Sequence, residues 1–204
     1  MSMSLSVYLL DVAATRALVG SRDDQLLKVI RDEFGDDLER DDRWFADAIA
    51  DGAPTSYEAL RAVVSGGPFP QDGSSGSFQY GYAYKRLCSL TGSHLNNSSF
   101  SPYRAGWLEA VDDGLKALEV TAVSVSDFGM STGMPDGLPW SDFPGCGQWT
   151  HGQCVAALEQ FQAADRAGLE PSLEPEVESA LSDCVDWIVA AAQRPGYGVI
   201  GFQS

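Results

Sequence analysis

Apolar and polar positions alternate at both ends of the chain. Leu5, Val7 and Leu9 interleave with Ser4, Ser6 and Tyr8, the period of two that marks a half-buried strand, and predict a strand over Ser4–Leu10. Tyr197–Phe202 is expected to be a glycine-laced closing strand. Val199 and Ile200 are β-branched, and a frayed tail would bury nothing and be more polar. Pairing with the opening strand would satisfy its backbone groups and make it an inner strand. Thr121–Asp127 also alternates, with Val123 and Val125 between Ala122, Ser124 and Ser126, and predicts a further strand.

Between these segments the spacing turns helical. Asp11 can cap a short helix that ends at Gly20. Ser21 opens a second, with Leu26, Leu27, Ile30 and Phe34 as its stripe and Gly35 as its stop. Asp36–Asp42 then reads as an acidic connector, and Arg43–Ala50 as a helix burying Trp44, Phe45 and Ile49. Thr55-x-x-Glu58 is a capping box for a helix through Val64. Phe78–Leu90 fits either period: Phe78, Tyr80, Tyr82 and Tyr84 alternate, whereas Tyr80, Tyr84 and Leu87 keep helical spacing. Ser101-Pro102 predicts the start of a helix to about Leu118. Phe128–Gln148 is rich in Gly and Pro and predicts little regular structure beyond a short hairpin. Thr150 caps a helix ended by Gly168, and Glu174-Pro175 opens the last one, whose stripe runs from Val177 to Ala191.

These elements sum to an α+β protein of about seven helices and three or four strands. The expectation is a single domain over 1–204, with a small mixed sheet holding the N- and C-terminal strands and the helices packed on it. Residues 65–77, SGGPFPQDGSSGS, are read as a flexible loop inside that domain.

Charge narrows the partners. The 29 acids and 13 bases give a net −16, concentrated in residues 21–51 and 121–204. Nucleic acid and anionic membranes are excluded as partners, because both need clustered bases. A basic protein partner fits this charge, through electrostatic steering. No run reaches the roughly 18 apolar residues of a membrane span. The opening residues lack the basic and long apolar regions of a signal peptide. Four cysteines in a chain of this size suggest reduced thiols and the cytoplasm.

The chemistry-bearing residues are few. Cys146-x4-His151-x2-Cys154 gathers metal-ligand types, but the spacing matches no standard zinc site and no fourth ligand is near. Two small buried thiols and a histidine in the capping region of a helix account for it better, so no metal and no cofactor is expected. Cys146 with His151, or Ser93 with His94, could form a nucleophilic pair only if folding brought the side chains into contact. There is no nucleophile elbow and no phosphate loop: Gly129-Met-Ser-Thr-Gly133 lacks the lysine and helix that follow one. Adjacent acids such as Asp112/Asp113 point apart on a helix and make poor acid–base pairs. Tyr80, Tyr82 and Tyr84 with Lys85 and Arg86 could stack bases, although core packing suits an acidic chain better. Tyr103, Arg104 and Trp107, beside Asn96 and Asn97, are the residue types of binding hot spots and are the expected binding residues.

Ser4–Asp11, Gln79–Ala83, Ser101–Glu109 and Gly196–Phe202 together resemble an uncharacterised actinobacterial family, a domain of unknown function, over most of the chain. The order of strands and helices is more distantly similar to the small YfbM-like proteins. Neither resemblance implies catalytic residues. The expected function is an acidic cytoplasmic binding protein without catalysis, of the immunity or inhibitor kind, that neutralises a basic protein. The alternative is a small hydrolase or transferase using His151 with Cys146 or a nearby carboxylate. The oligomeric state is left open.

Overall fold

The computed structural model describes residues 2–71 and 73–204. In chain order the elements are β1 (Leu5–Asp11), α1 (Val12–Arg16), α2 (Asp24–Trp44), α3 (Ala46–Ala50), α4 (Ser56–Ser65), α5 (Phe78–Thr91), β2 (Ser93–His94), α6 (Trp107–Ala117), β3 (Gly145–Trp149), α7 (His151–Ala167), α8 (Pro175–Ala192) and β4 (Tyr197–Gln203). Short 3-10 turns occupy Ser98–Phe100, Val125–Gly129 and Ser131–Gly133. The class is α+β, and the N- and C-terminal strands share one sheet. The chain forms two compact units. One comprises the segment through Val12 with Thr91–Gly133 and Gly145–Ser204; the other comprises Ala13–Leu90 with Met134–Pro144.

The first unit is built on a four-stranded sheet in the order β2-β1-β4-β3. All three strand pairs are antiparallel, so the sheet is not mixed. β4 lies inside it, with Tyr8 opposite Ile200 and Cys146 opposite Phe202. Leu5, Val7 and Leu9 of β1 join Val199 and Trp149 in a core shared with α6, α7 and α8. Trp149, Trp187 and Phe128 form its aromatic centre, with Trp149 and Trp187 ring centroids 5.9 Å apart. The alternate positions Tyr8, Leu10, Ile200, Phe202 and Cys146 are buried as well.

Thr121–Asp127 is not a strand. Gln160 of α7 accepts from the Thr121 and Ala122 amides at 2.9 and 3.1 Å. The buried Asp112 carboxylate accepts from the Val125 amide at 2.7 Å, the Ser126 amide at 3.2 Å and the Ser124 hydroxyl at 2.6 Å. Side chains thus supply what a neighbouring strand would have supplied, and Val125–Gly129 closes into a turn. That turn lies against β3, which pairs with β4 in the terminal sheet where the glycine-rich stretch had suggested at most a short hairpin. A Cβ on Gly147 would collide with the Asp127 carbonyl, so glycine is what allows turn and strand to touch. The 101–118 helix starts at Trp107 instead, because Tyr103 bridges to Met3 in extended form.

The second unit is helical, with Leu27, Ile30, Leu38, Leu60, Val63, Tyr80 and Leu87 in its core. α2 begins after Asp23, whose side chain accepts from the Leu26 amide, rather than at Ser21. It continues through Gly35 with a kink at Phe34 (φ −125°, ψ 19°). The acidic connector is therefore helix. Leu38 is buried, and Arg86 of α5 reaches Asp41 at 2.6 Å and Asp37 at 3.8 Å. A break at Phe45 separates α2 from α3, and the Phe45 ring packs on Phe78 and Tyr82 while Trp44 is left 84% exposed. The capping box of Thr55 and Glu58 forms as expected. The 65–77 loop lies within this unit as an irregular segment, apart from Asp72, which is outside the described residues. In α5 the helical period prevails, burying Tyr80 and Tyr84, so these rings make no stacking ladder.

Candidate functional site

The expected binding residues fall on the segment that leads from β2 into α6. Leu95 still donates to Val7 at 2.9 Å, and then the chain leaves the sheet. The Asn96 amide donates to Asp183 of α8 at 2.5 Å, and the Asn96 carbonyl accepts from the Trp187 indole at 2.7 Å. The Asn97 amide donates to the Leu5 carbonyl. The second Asp183 oxygen takes the Ser99 amide at 3.2 Å. Phe100 packs on Trp187 with ring centroids 5.1 Å apart. Asn96 and Asn97 are therefore fixing points for the loop; the structure spends their amides on the fold.

The loop so pinned forms one wall of an open cleft of about 760 Å³. Ser98, Ser99 and Pro102–Trp107 line it on one side, and Glu176 and Ser179 of α8 on the other. Three of the expected residues lie here together: Tyr103, Arg104 and Trp107. Tyr103 is buried, and burial pushes its phenol up to about 12, opposed by the neighbouring Gln203 side chain. It serves as a neutral wall. Trp107 is half-buried, and its indole N–H donates to the Ser99 carbonyl at 2.9 Å, which leaves the ring as its contribution. Arg104 is exposed, and so is Glu176 in the first turn of α8. Among the described residues neither has an ion-pair partner. Gly106, at φ +82°, caps α6 without a side-chain hydrogen bond. Glu176 and Ser179 carried no signal in the sequence beyond a favourable helix-dipole charge, and only the packing of α8 brings them here.

The cysteine–histidine cluster is differently placed. His151 opens α7, half-buried, with Nδ1 3.1 Å from the Ala191 carbonyl at the end of α8. Cys146 is fully buried on β3 and Cys154 fully buried in the core. Burial pushes the Cys154 thiol up to about 12 and the Cys184 thiol well above its ordinary value. Cys88, in the second unit, also rises to about 12. Among the described residues no three His, Cys, Asp or Glu side chains gather as metal ligands would. Ser93 and His94 sit exposed on the edge strand β2, where the His94 ring meets Tyr8 edge-on at 5.7 Å.

A family model covers residues 1–204. The chain belongs to the domain of unknown function family DUF7691. No curated protein and no solved structure matches it. The family description assigns no residue a role, so the site in this member rests on geometry. No helix among the described residues is long and apolar enough to cross a membrane.

Proposed function

We propose that this protein is a non-catalytic binder that neutralises a basic protein partner, in the manner of an immunity or inhibitor protein of the cytoplasm. One observation carries the reading. The α7–α8 hairpin exposes Glu159, Asp165, Glu170, Glu174, Glu176, Glu178 and Asp186, with Arg166 as its single base. The unit that contains it holds 14 acids against four bases. Of those bases, Lys116 is paired to Asp113 at 2.9 Å and Arg194 lies over the Tyr197 ring. A field of one sign on a rigid helix pair steers a cationic partner and raises its association rate by roughly 10–1,000-fold at low salt.

The catalytic alternative finds less support. His151 spends one ring nitrogen at a backbone carbonyl. Burial disfavours the thiolate forms of Cys88, Cys154 and Cys184. Four free, buried cysteines also suit a reducing compartment.

The test is capture of partners from the native source, with a neutralised hairpin (Glu159→Gln, Asp165→Asn, Glu170→Gln, Glu178→Gln) beside the wild type. A control carries four matched changes on α2 (Asp24→Asn, Asp32→Asn, Glu33→Gln, Glu39→Gln). The reading predicts one basic protein at stoichiometric yield, lost with the hairpin variant and at high salt and retained by the control. Equal capture by all three proteins would reject it.

A further inference from the structure

We propose that the cleft between the 98–107 segment and α8 is a binding site for a small zwitterion: a free α-amino acid or short peptide with an apolar side chain. The site shares Glu176 with the acidic hairpin, but the four hairpin substitutions leave Glu176 in place, so the two readings fail separately. Its central observation is a pair of opposite charges, Arg104 and Glu176, that line one cleft without pairing to each other or to any other described residue. Exposed ion pairs contribute little to a fold, so both charges can stay open at little cost to stability. Arg104 and Glu176 line one open cleft of about 760 Å³ without an ion pair between them, which leaves both charges open to a ligand. That volume falls within the roughly 300–1,000 Å³ of small-molecule sites.

The charges exclude simpler ligands. A phosphate-like anion would meet Arg104 but would also face Glu176, within a unit of 14 acids and four bases. A simple cation would meet Glu176 but would face Arg104. A molecule carrying both a carboxylate and an ammonium satisfies both walls.

The surroundings orient it. The carboxylate belongs at Arg104, whose guanidinium can hold two oxygens at once. There α6 begins at Gly106 with no side-chain cap, so the positive end of the helix faces no protein acceptor from its own cap. The ammonium belongs at Glu176, one helical turn from Ser179 on the same wall. The side chain of the ligand belongs on Trp107, whose N–H is already committed to Ser99 and which therefore offers apolar area. The wall does not need to form on binding: Asp183, Asn96 and Trp187 already hold it.

Titration calorimetry on the full chain tests this with leucine, phenylalanine and the dipeptide Leu-Leu as probes, beside N-acetyl-leucine and leucinamide. At least one zwitterionic probe is expected to bind, and the free amino acids and the dipeptide distinguish the two sources of the same chemistry. Blocking either end should weaken binding about tenfold or more. Arg104→Gln should erase the preference for leucine over leucinamide, and Glu176→Gln the preference over N-acetyl-leucine. Both residues are exposed, and circular dichroism confirms that each variant is folded. Absence of binding by every zwitterionic probe at millimolar concentration, blocked probes that bind as well as leucine, or preferences untouched by both substitutions would each overturn the proposal.

Discussion

At the turn into α7, Cys146, His151 and Cys154 are consumed by the fold; on the loop ahead of α6, Arg104 is left over and meets Glu176 across a cleft. Both regions carry the residue types that chemistry requires. In the first, adjacency in sequence came from a strand running straight into a helix, and each side chain went to a structural neighbour. In the second, the structural work is done by other residues. Asp183, Asn96, Asn97, Trp187 and the Trp107 indole N–H take up the polar groups of the loop, so Arg104 and Glu176 are not required by it. Residue type alone therefore says little about a site; whether the fold has already used the side chain says more.

The comparison can be broken at four levels. The largest expected effect comes from removing residues 197–204. β4 pairs with both β1 and β3, so the truncation takes away the sheet under both regions and should abolish cooperative unfolding. A soluble truncated chain with an unchanged midpoint would refute the role given to β4. Next, Asp183→Ala strands the Ser99 amide and the Asn96 side chain. It should cost about 3 kcal/mol in urea unfolding and raise hydrogen exchange over 95–103. A cost below 1 kcal/mol would mean the loop is held by something else.

Cys154→Ser, which buries a hydroxyl in an apolar core, should cost about 2 kcal/mol, whereas a surface thiol would tolerate it. The same thiol predicts alkaline sensitivity. Its folded pKa, about 12, lies above the ordinary 9.0, so its contribution is complete below 9 and is lost as pH rises from 9 toward 12. Native alkylation should remain negligible below that window, and rapid labelling at pH 8 would reveal an activated cysteine instead. The smallest effect is His151→Gln, about 1 kcal/mol or less from the bond to Ala191. A larger loss would point to a second partner for the ring.

Parts of this arrangement were readable in the chain. The closing strand, its pairing with β1, the capping box at Thr55 and the cap at Thr150 follow from local pattern, because β-branched alternation and cap spacing act over a few residues; the Gln153 half of the Thr150 box is seen only in the structure. Thr121–Asp127 shows the same alternation as β4, and Val123 and Val125 are buried as expected, yet Asp112 and Gln160 take its amides. Alternation fixes which side chains can be buried and does not fix what meets the backbone. β3 failed in the opposite direction: its glycines read as loop and serve as clearance for the Asp127–Phe128 turn. Gly35 read as a stop because isolated glycine ends many helices, but contacts of Leu38 and Arg86 carry α2 past it. Tyr103, Arg104 and Trp107 were legible as a group because they are close in sequence. Glu176 and Ser179 were not, since they join them only through the packing of α8.

The most direct measurement is the unfolding free energy of the double variant Arg104→Gln/Glu176→Gln beside the wild type. If these charges hold no contact of the fold, the two proteins should agree within about 1 kcal/mol, the most that losing the Glu176 charge from the first turn of α8 should cost. A loss approaching that of Asp183→Ala would show that the cleft charges hold the fold together, and would contradict the distinction drawn between the two regions.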